Sequence, residues 1–197
     1  MTSTTKVNPT ARRSQGERRE ATKALLCEAT IDLLVARGWS ALSITEVCRR
    51  AGLTAGAYHH HFSALPELVA EALDRLHSSM VTPGRPPATD LVGLLDRTWE
   101  AASKPRFKAV IEAWLAVADD PALGEALEPV IAEFAKAVRP ELLAPEVIAD
   151  EARRVCFLAS REAMFGLALG RATNGGKPLA HEASVIEGLR TWAQSLE

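Results

Sequence analysis

Apolar residues recur every three to four positions along most of the chain, which is the spacing that places them on one face of an α-helix. Between Glu17 and Arg37 they form one stripe, and Gly38 follows as a residue type that commonly ends helices. We find no convincing run with the period of two that is expected of a half-buried strand. The pattern therefore predicts an all-α fold.

Proline, glycine and N-capping hydroxyls divide this pattern into about nine helices. The predicted helices are 17–37, 44–51, 55–62, 66–80, 90–103, 105–118, 121–139, 145–173 and 179–196. Pro129 is expected to kink or divide the seventh helix. The clearest break is the stretch 81–88, which contains three prolines and a glycine. It predicts a junction between an N-terminal head and a C-terminal body.

The second and third predicted helices have the spacing of a helix-turn-helix unit. Ser43 precedes Glu46 by three residues, as in a capping box at the start of a helix. Gly52 ends this helix, and Thr54 can cap the next one. Two short helices separated by so tight a turn favour a DNA-binding unit in the head.

Charge is distributed unevenly between the two predicted parts. The formal net charge is −2, but residues 1–62 hold nine Lys/Arg against five Asp/Glu, and the remainder holds 14 against 20. A head at +4 is suited to phosphates, whereas a body at −6 is not. A chance fluctuation is the alternative that charge alone leaves open.

Composition excludes several classes of protein. Apolar residues make up 47% and charged residues 24% of the chain, as in folded globular proteins rather than disordered ones. No apolar run approaches the roughly 18 residues of a membrane span, and the polar opening from Met1 to Gln15 lacks the apolar stretch of a secretory signal. We therefore expect a cytoplasmic protein with no membrane partner.

The residue types that build catalytic and metal sites are not arranged as such sites require. The three cysteines, Cys27, Cys48 and Cys156, are odd in number and widely spaced, so we expect small buried thiols and no zinc site or disulfide. There is no phosphate-binding loop, HExxH motif or Ser/His/Asp spacing. We expect no enzymatic activity, no cofactor and no metal.

Several linked features stand between Leu26 and Phe62 and together resemble the DNA-binding head of the TetR/AcrR family of bacterial transcriptional regulators. They are a helix ending at Gly38, Trp39 after it, the stretch 43–48, the turn 51–54, then Gly56 and His61-Phe62. Beyond this segment the chain is similar to the family only in its proline-rich hinge and its number of helices. The resemblance implies a flexible basic arm at 1–16, a helix-turn-helix domain at 17–63, and a ligand-binding and dimerisation domain at 64–197 that begins with a connecting helix at 64–80.

Helix N-termini supply the first candidates for contact with DNA. Thr45 and Thr54 present a hydroxyl where free N–H groups and the helix dipole favour a phosphate oxygen. Small residues at Ala55, Gly56 and Ala57 let the third helix approach the bases of the major groove closely. Small residues also suit a simple crossing of two helices, and the sequence leaves both interpretations open.

The run of three histidines after Tyr58 completes the DNA-binding candidates. Consecutive helical residues point about 100° apart, so no two of these histidines can share a metal ion. The family implies a phosphate-contacting tyrosine at His59, a base-facing residue at His60 and a phosphate-contacting histidine at His61, but here the tyrosine stands one position early. Arg18, with the other arginines ahead of the first helix, is expected to add phosphate contacts, and a solvated tail is the alternative for Arg12 and Arg13.

Aromatic side chains in the fifth to seventh predicted helices can line one cavity for an apolar or aromatic effector. Ordinary core packing is the alternative for each of them taken singly. Arg161 interrupts an apolar stretch and is either a paired ion on an exposed face or a polar anchor in the cavity. The candidate ligand-binding residues are Trp99, Phe107, Ile111, Trp114, Phe134 and Arg161.

Two apolar faces end the chain, and the eighth helix is rich in small residues that permit close helix packing. The resemblance implies a two-fold, four-helix interface formed by the last two helices of each subunit. Packing against the fifth helix of the same chain is the alternative. The candidate dimerisation residues are Ala163, Gly166, Leu167, Gly170, Ile186, Leu189 and Trp192.

These features predict a homodimeric transcriptional repressor. It would bind a palindromic operator in double-stranded DNA and dissociate when a small-molecule effector occupies the body. Two recognition helices must lie about 34 to 36 Å apart to enter successive major grooves, so a modest movement of the connecting helix would misplace both. The alternative is an α-helical carrier of apolar ligands, or a protein-interaction module, without DNA activity.

Overall fold

The computed structural model describes residues 14–80, 86–137 and 144–197 of the chain. Within these ranges there are nine α-helices, one short 3-10 turn at Trp39–Ala41 and no strand, so the all-α prediction is confirmed. Residues 1–13 of the predicted arm at 1–16, with Arg12 and Arg13, and residues 81–85 of the predicted break lie outside these ranges, whereas Gln15 and Gly16 belong to the first helix. The helices are α1 Gln15–Arg37, α2 Ile44–Ala51, α3 Ala55–His59, α4 Leu65–Met80, α5 Leu91–Ala102, α6 Phe107–Ala116, α7 Pro121–Ala137, α8 Glu151–Thr173 and α9 Glu182–Gln194.

Local capping sets the boundaries of the N-terminal helices. The Ser14 hydroxyl accepts from the backbone N–H of Glu17, whose carboxylate accepts in return from the backbone N–H of Ser14. Ser43 accepts from the N–H of Glu46 at 3.2 Å at the start of α2. Gly52 ends α2 in the left-handed conformation, with φ 68°. The head therefore folds where the sequence places its caps.

Several predicted helix boundaries differ from the structure by a few residues, and the helix predicted to kink or divide at Pro129 is continuous. Helix α3 ends at His59 rather than at residue 62. Helix α8 begins at Glu151 rather than at residue 145, because the Asp150 carboxylate accepts from the N–H of Arg153 at 2.9 Å and caps it there. Helix α7 runs undivided through Pro129, although a proline at this position supplies no backbone N–H to the turn before it.

Two apolar cores hold the helices together. The first core contains residues of α1, α2, α3, α4, α6 and α7. It buries residues such as Leu26, Val47, Val110 and Leu127 completely. The second joins α5, α8 and α9. Trp99 packs against both cores. The first core contains residues of both predicted domains, so the division at 63/64 stays a prediction.

Helix α4 occupies the position that connects head and body. It packs against α1 on the head side and against α7 on the body side, while α6 also packs against α1. Helices α8 and α9 pack against each other and against α5. No helix among the described residues is both long and apolar enough to cross a bilayer.

Candidate nucleic-acid interface and effector site

The helix-turn-helix presents its two helix N-termini to solvent. Thr45, in the first turn of α2, and Thr54, before α3, are both exposed. The Thr54 hydroxyl accepts from the N–H of Ala57 at 3.2 Å, so its own proton is still available to a phosphate oxygen. Ala55 and Gly56 are exposed and Ala57 is half-buried. These small residues leave the first turn of α3 accessible to a nucleic-acid groove.

Tyr58 belongs to the core rather than to this surface. Its side chain is 0% exposed, its hydroxyl has no hydrogen-bond partner, and burial raises the pKa of Tyr58 to about 12. The ring packs against His59 and Phe62, at centroid distances of 4.9 and 5.9 Å. Tyr58 therefore anchors α3 to the core. It does not make the phosphate contact that the family resemblance implies for a tyrosine at position 59.

The three histidines have different environments. His59 and His60 are exposed, whereas His61 is half-buried with its Nδ1 shielded and unpartnered. Burial lowers the pKa of His61, and the neighbouring cations His60, Arg19 and Lys23 lower it further. A neutral His61 can still donate one hydrogen bond, and Nε2 is the nitrogen that can reach a phosphate.

A cleft of about 650 Å³ brings His60 and His61 next to the start of α1. Its other wall contains Arg18, Arg19 and Thr22. The predicted phosphate contacts Arg18 and His61 are therefore on one surface, with the guanidinium of Arg19 beside them. Such a combination of guanidinium and imidazole groups is suited to the sugar–phosphate backbone.

Much of the remaining positive charge of the head is already compensated. Arg37 and Arg49 bind the Glu46 carboxylate at 3.0 and 2.8 Å, and Arg50 binds Asp32 at 2.7 Å. Exposed pairs of this kind contribute little stability, but they reduce the local potential. The net charge of the head therefore overstates the field at α2.

In the body, three of the four predicted aromatic residues come together. Trp114 lies 6.2 Å from Phe134 and 6.4 Å from Phe165, and Phe165 lies 5.4 Å from Phe107, between ring centroids. Ile111 packs against the same core. Trp99 is engaged elsewhere, with the Arg171 guanidinium 5.1 Å from its ring centroid. We call Phe107, Trp114, Phe134 and Phe165, together with His77, the aromatic cluster.

His77 and Phe165 are the members of this cluster that sequence reasoning missed, and His77 is the polar one. It is 6% exposed and stacks on Phe134 with ring centroids 4.0 Å apart. Burial lowers the pKa of His77 to about 4, against the opposing effect of Asp74. A signal was present in the sequence, because His77 continues the four-residue spacing of Val69 and Leu73 on the apolar face of α4.

Arg161 is not among the aromatic contacts of this cluster. Its guanidinium binds the carboxylate of the adjacent Glu162 at 2.7 Å, and its side chain is 24% exposed. The sequence left two interpretations open for Arg161, a paired ion and a polar anchor of the cavity. The structure shows the paired ion, so the assignment of Arg161 as a polar anchor is corrected.

The predicted dimerisation residues divide between outward and inward positions. An added Cβ at Gly166 would meet no atom within 4 Å, and Trp192 is 38% exposed. Ala163 is half-buried on the same helix as Gly166. The exposed side chains of Val155 and Leu169 extend the outward face of α8.

Four of the predicted dimerisation residues pack within their own chain. Leu167 and Ile186 are buried in the second core, and Leu189 packs against it. At Gly170 an added Cβ would lie 2.5 Å from Leu179 Cδ1, so the absence of a side chain permits an intrachain contact. The reason in each case is the packing of α8 and α9 onto α5 and the segment between them, which the helix pattern alone does not orient.

Residues 26–72 match the model of a protein family described as bacterial regulatory proteins, tetR family. Among curated proteins, the HTH-type transcriptional regulator CymR of Pseudomonas putida is 28% identical over 127 residues, which cover 61% of this chain and 63% of that protein. The chain therefore aligns with less than two thirds of the length of this relative.

Solved structures share the fold over most of the chain. NalD, the secondary repressor of the MexAB-OprM multidrug efflux pump in Pseudomonas aeruginosa, has a TM-score of 0.59 and 20% identity, over 89% of this chain and 97% of its own. The multidrug binding protein EbrR, complexed with imidazole, has a TM-score of 0.62 and 22% identity, over 93% and 97%. The proteins matched by sequence are transcriptional regulators and not enzymes.

Proposed function

We propose that this chain, which belongs to the tetR family of bacterial regulatory proteins through residues 26–72, is a homodimeric transcriptional repressor that a small apolar or aromatic effector releases from a palindromic operator. The observation that carries the proposal is the cleft that joins Arg18 and Arg19 to His60 and His61 beside an exposed recognition helix. An apolar carrier has no need of this arrangement. Access to DNA implies action in the bacterial cytoplasm.

The residues of the interface have two kinds of role in this proposal. Thr45, Thr54, His61 and Arg18 hold phosphates and set the orientation of the head. The side chains at the first turn of α3 and at its end read base edges in the major groove. The base-reading candidates are Ala55, Gly56, Ala57 and His60. His59 would lie beside the sugar–phosphate backbone of the DNA.

A dimer is required because one short recognition helix reads only a half-site. The outward face of α8, with Gly166 and Leu169, and the exposed Trp192 of α9 form the surface that we assign to the partner copy. A two-fold axis through this face pairs two heads on one side of the duplex.

Release follows from the position of α4 between the head and the aromatic cluster. An effector that separates α4 from α7 moves the head with α4, because α4 and α1 belong to the same core. A coupling of about 1 to 3 kcal/mol between effector and operator is typical of such regulators. The names of NalD and EbrR, a repressor and a multidrug binding protein of the same fold, support this proposal.

Selection of duplexes from a randomised pool, followed by gel-shift titration at several salt concentrations, tests the proposal. We expect enrichment of a palindrome and an affinity that falls steeply with salt. Arg18→Gln should reduce the salt slope by about one unit, and the matched control Arg161→Gln, on the body, should not. Failure to enrich any sequence, or binding that is insensitive to salt, would instead favour the carrier without DNA activity.

A further inference from the structure

The aromatic cluster contains three buried ring nitrogens without partners. They are Nδ1 and Nε2 of His77 and Nε1 of Trp114, and none has a hydrogen-bond partner among the residues that the structure describes. Leaving a buried polar group unsatisfied costs about 1 to 3 kcal/mol, and folded proteins hold few such groups. Three in one apolar cluster therefore require an explanation.

The location of these nitrogens connects them to release of the head. His77 is on α4, the helix that packs against both α1 and α7, and its ring stacks on Phe134 of α7 at 4.0 Å. Trp114 is on α6, which packs against α1, and its ring is 6.2 Å from Phe134. A molecule bound between them would touch α4 and α6, which both pack against α1, and also α7.

The hydrogen-bonding capacity of the three nitrogens specifies the chemistry of such a molecule. The indole N–H of Trp114 only donates, while a neutral imidazole donates with one nitrogen and accepts with the other. The sites are thus two donors and one acceptor. A hydroxyl group can accept from the indole N–H of Trp114 and donate to the accepting nitrogen of His77, although it reaches only one imidazole nitrogen because the two point to opposite sides of the ring.

Charge excludes the obvious alternative, which is a carboxylate. A carboxylate only accepts, so it would leave the accepting nitrogen of His77 unsatisfied unless the imidazole were protonated. Protonation is opposed by burial, which lowers the pKa of His77 to about 4. A buried carboxylate would also lack Arg161 as a partner, because this guanidinium is bound to Glu162.

We propose that His77 and Trp114 form the polar subsite of the effector pocket and that the effector is an uncharged hydroxylated aromatic molecule. The proposal rests on the proposed function for its link to DNA release, but the binding step stands alone. The rings of Phe107, Phe134 and Phe165 contact the apolar part of the molecule, and the two nitrogen-bearing rings select for its hydroxyl group.

Calorimetric titration of the full chain without DNA tests the subsite. The probes are three 4-alkylphenols, with methyl, ethyl and propyl chains, and the alkylbenzenes and 4-alkylbenzoates that carry the same chains. We expect at least one phenol to bind tenfold or more tightly than its alkylbenzene and its benzoate, because only the hydroxyl can accept from Trp114 and donate to His77 without bringing a charge into the cluster.

Two substitutions remove the nitrogens and keep aromatic rings in the cluster. In His77→Phe and in Trp114→Phe the preference for phenol over alkylbenzene should fall below threefold, while alkylbenzene affinity changes less than threefold. Neither variant should melt at a lower temperature than the parent by more than a few degrees, since each loses an unsatisfied group. Trp99→Phe, which changes a ring beside Arg171 instead, is the matched control and should keep the preference.

The outcomes separate this proposal from the proposed function. Equal affinity for phenols and alkylbenzenes, a preference for benzoates, or an undiminished preference in both variants would overturn the subsite. A phenol that binds with the expected preference supports it even where no DNA duplex is selected, which would overturn only the repressor. Where a duplex is selected, the preferred phenol should release it, and His77→Phe should raise the phenol concentration required at least tenfold.

Discussion

Gly38 follows the end of α1, and because it has no side chain the Glu112 carboxylate of α6 can approach its backbone closely. Its backbone has φ 77° and ψ −179°, a region that is essentially restricted to glycine. An added Cβ would lie 2.8 Å from Glu112 Oε2. That carboxylate is not free to move aside at no cost, because it accepts from the N–H of Trp39 at 3.1 Å and binds Lys108 at 2.9 Å.

We therefore expect Gly38→Ala to reduce the free energy of unfolding by about 2 to 4 kcal/mol, from backbone strain and from displacement of Glu112. Urea denaturation monitored by circular dichroism measures it. Gly52→Ala is the matched control, because Gly52 has φ 68° but open space around the Cβ position, and it should cost only about 1 kcal/mol. Equal losses in the two variants would show that the Glu112 contact has no role.

His77 makes the stability of the chain depend on pH. Its pKa is about 4 in the folded chain and 6.5 for an unperturbed histidine, so the unfolded chain binds more protons between these two pH values. Stability is therefore full above pH 6.5 and decreases as the pH falls towards 4, by an amount on the order of 3 kcal/mol. The group is almost wholly buried, so solvent screening does not reduce this effect much.

We expect His77→Phe to remove this component, so that its unfolding free energy changes less between pH 7 and pH 4 than that of the parent chain. Denaturation midpoints at half-unit pH intervals provide the measurement. His60→Gln, which changes an exposed histidine, should retain the pH dependence of the parent. An unchanged pH profile in His77→Phe would mean that His77 titrates normally.

At the scale of elements, the outward face of α8 is the one that the fold leaves uncovered within one chain. Val155, Gly166 and Leu169 are exposed on it. The inward face, with Leu167 and Ala168, is buried. A substitution at Gly166 therefore tests an interface between copies without disturbing the core of the chain.

Gly166→Glu should convert a dimer into a monomer at micromolar concentration and weaken operator binding at least tenfold, because a monomer loses the second half-site. Light scattering and gel shift measure the two effects. The melting curve of the isolated chain should show no loss of helix. Ala122→Glu, which adds the same charge on the exposed surface of α7, is the control and should leave both properties unchanged.

The elements differ in how far sequence could predict them, and the difference is one of interaction range. Gly38, Ser43 and Thr54 act within three or four residues of themselves, so the helix-turn-helix was predictable almost residue by residue. The sequence prediction started α8 at Pro145, because proline is common in the first turn of a helix. In the structure the helix starts after Asp150, which caps it. Pro145 and Asp150 are both residue types that start helices, so local sequence does not distinguish between the two positions.

The candidate sites were less predictable because they depend on which face of each helix turns inward. The aromatic spacing found Phe107, Trp114 and Phe134, but it missed His77, because a polar residue is not counted in an apolar pattern even where it continues the spacing. It also missed Phe165, which lies on a helix that the sequence assigned to the dimer interface. Leu167 and Ile186 fit an interface pattern as well as Gly166 does. Only the packing of α5 against α8 and α9 distinguishes them.

At the scale of the whole molecule, α6 forms a second connection between head and body besides α4. The Lys108 ammonium donates to the carbonyl of Leu34 near the end of α1 at 3.0 Å. Glu112 accepts from Trp39, just beyond α1. Movement of α6 is thereby transmitted to the last turn of α1 and the residues that follow it.

Glu112→Leu should release this connection, because it removes the acceptor of the Trp39 N–H and the partner of Lys108. We expect a loss of about 1 to 2 kcal/mol in unfolding free energy and amide exchange at Trp39 that is at least tenfold faster. Hydrogen exchange followed by nuclear magnetic resonance measures the latter. Glu128→Leu, on an exposed position of α7, should leave exchange at Trp39 unaltered.

The two cores also allow the molecule to open in parts. Cys27 and Cys48 lie in the first core and Cys156 in the second, and all three thiols are free and buried. Burial raises the pKa of Cys27 to about 12 and raises that of Cys156 as well, so an alkylating reagent reacts with each thiol when its own core opens. Labelling rates, resolved by peptide mass, should therefore differ between Cys27 and Cys156 if the cores are separate cooperative units. In the dimer that we propose, such a division would let the partner copies exchange through α8 and α9 while the helix-turn-helix of each chain stays folded.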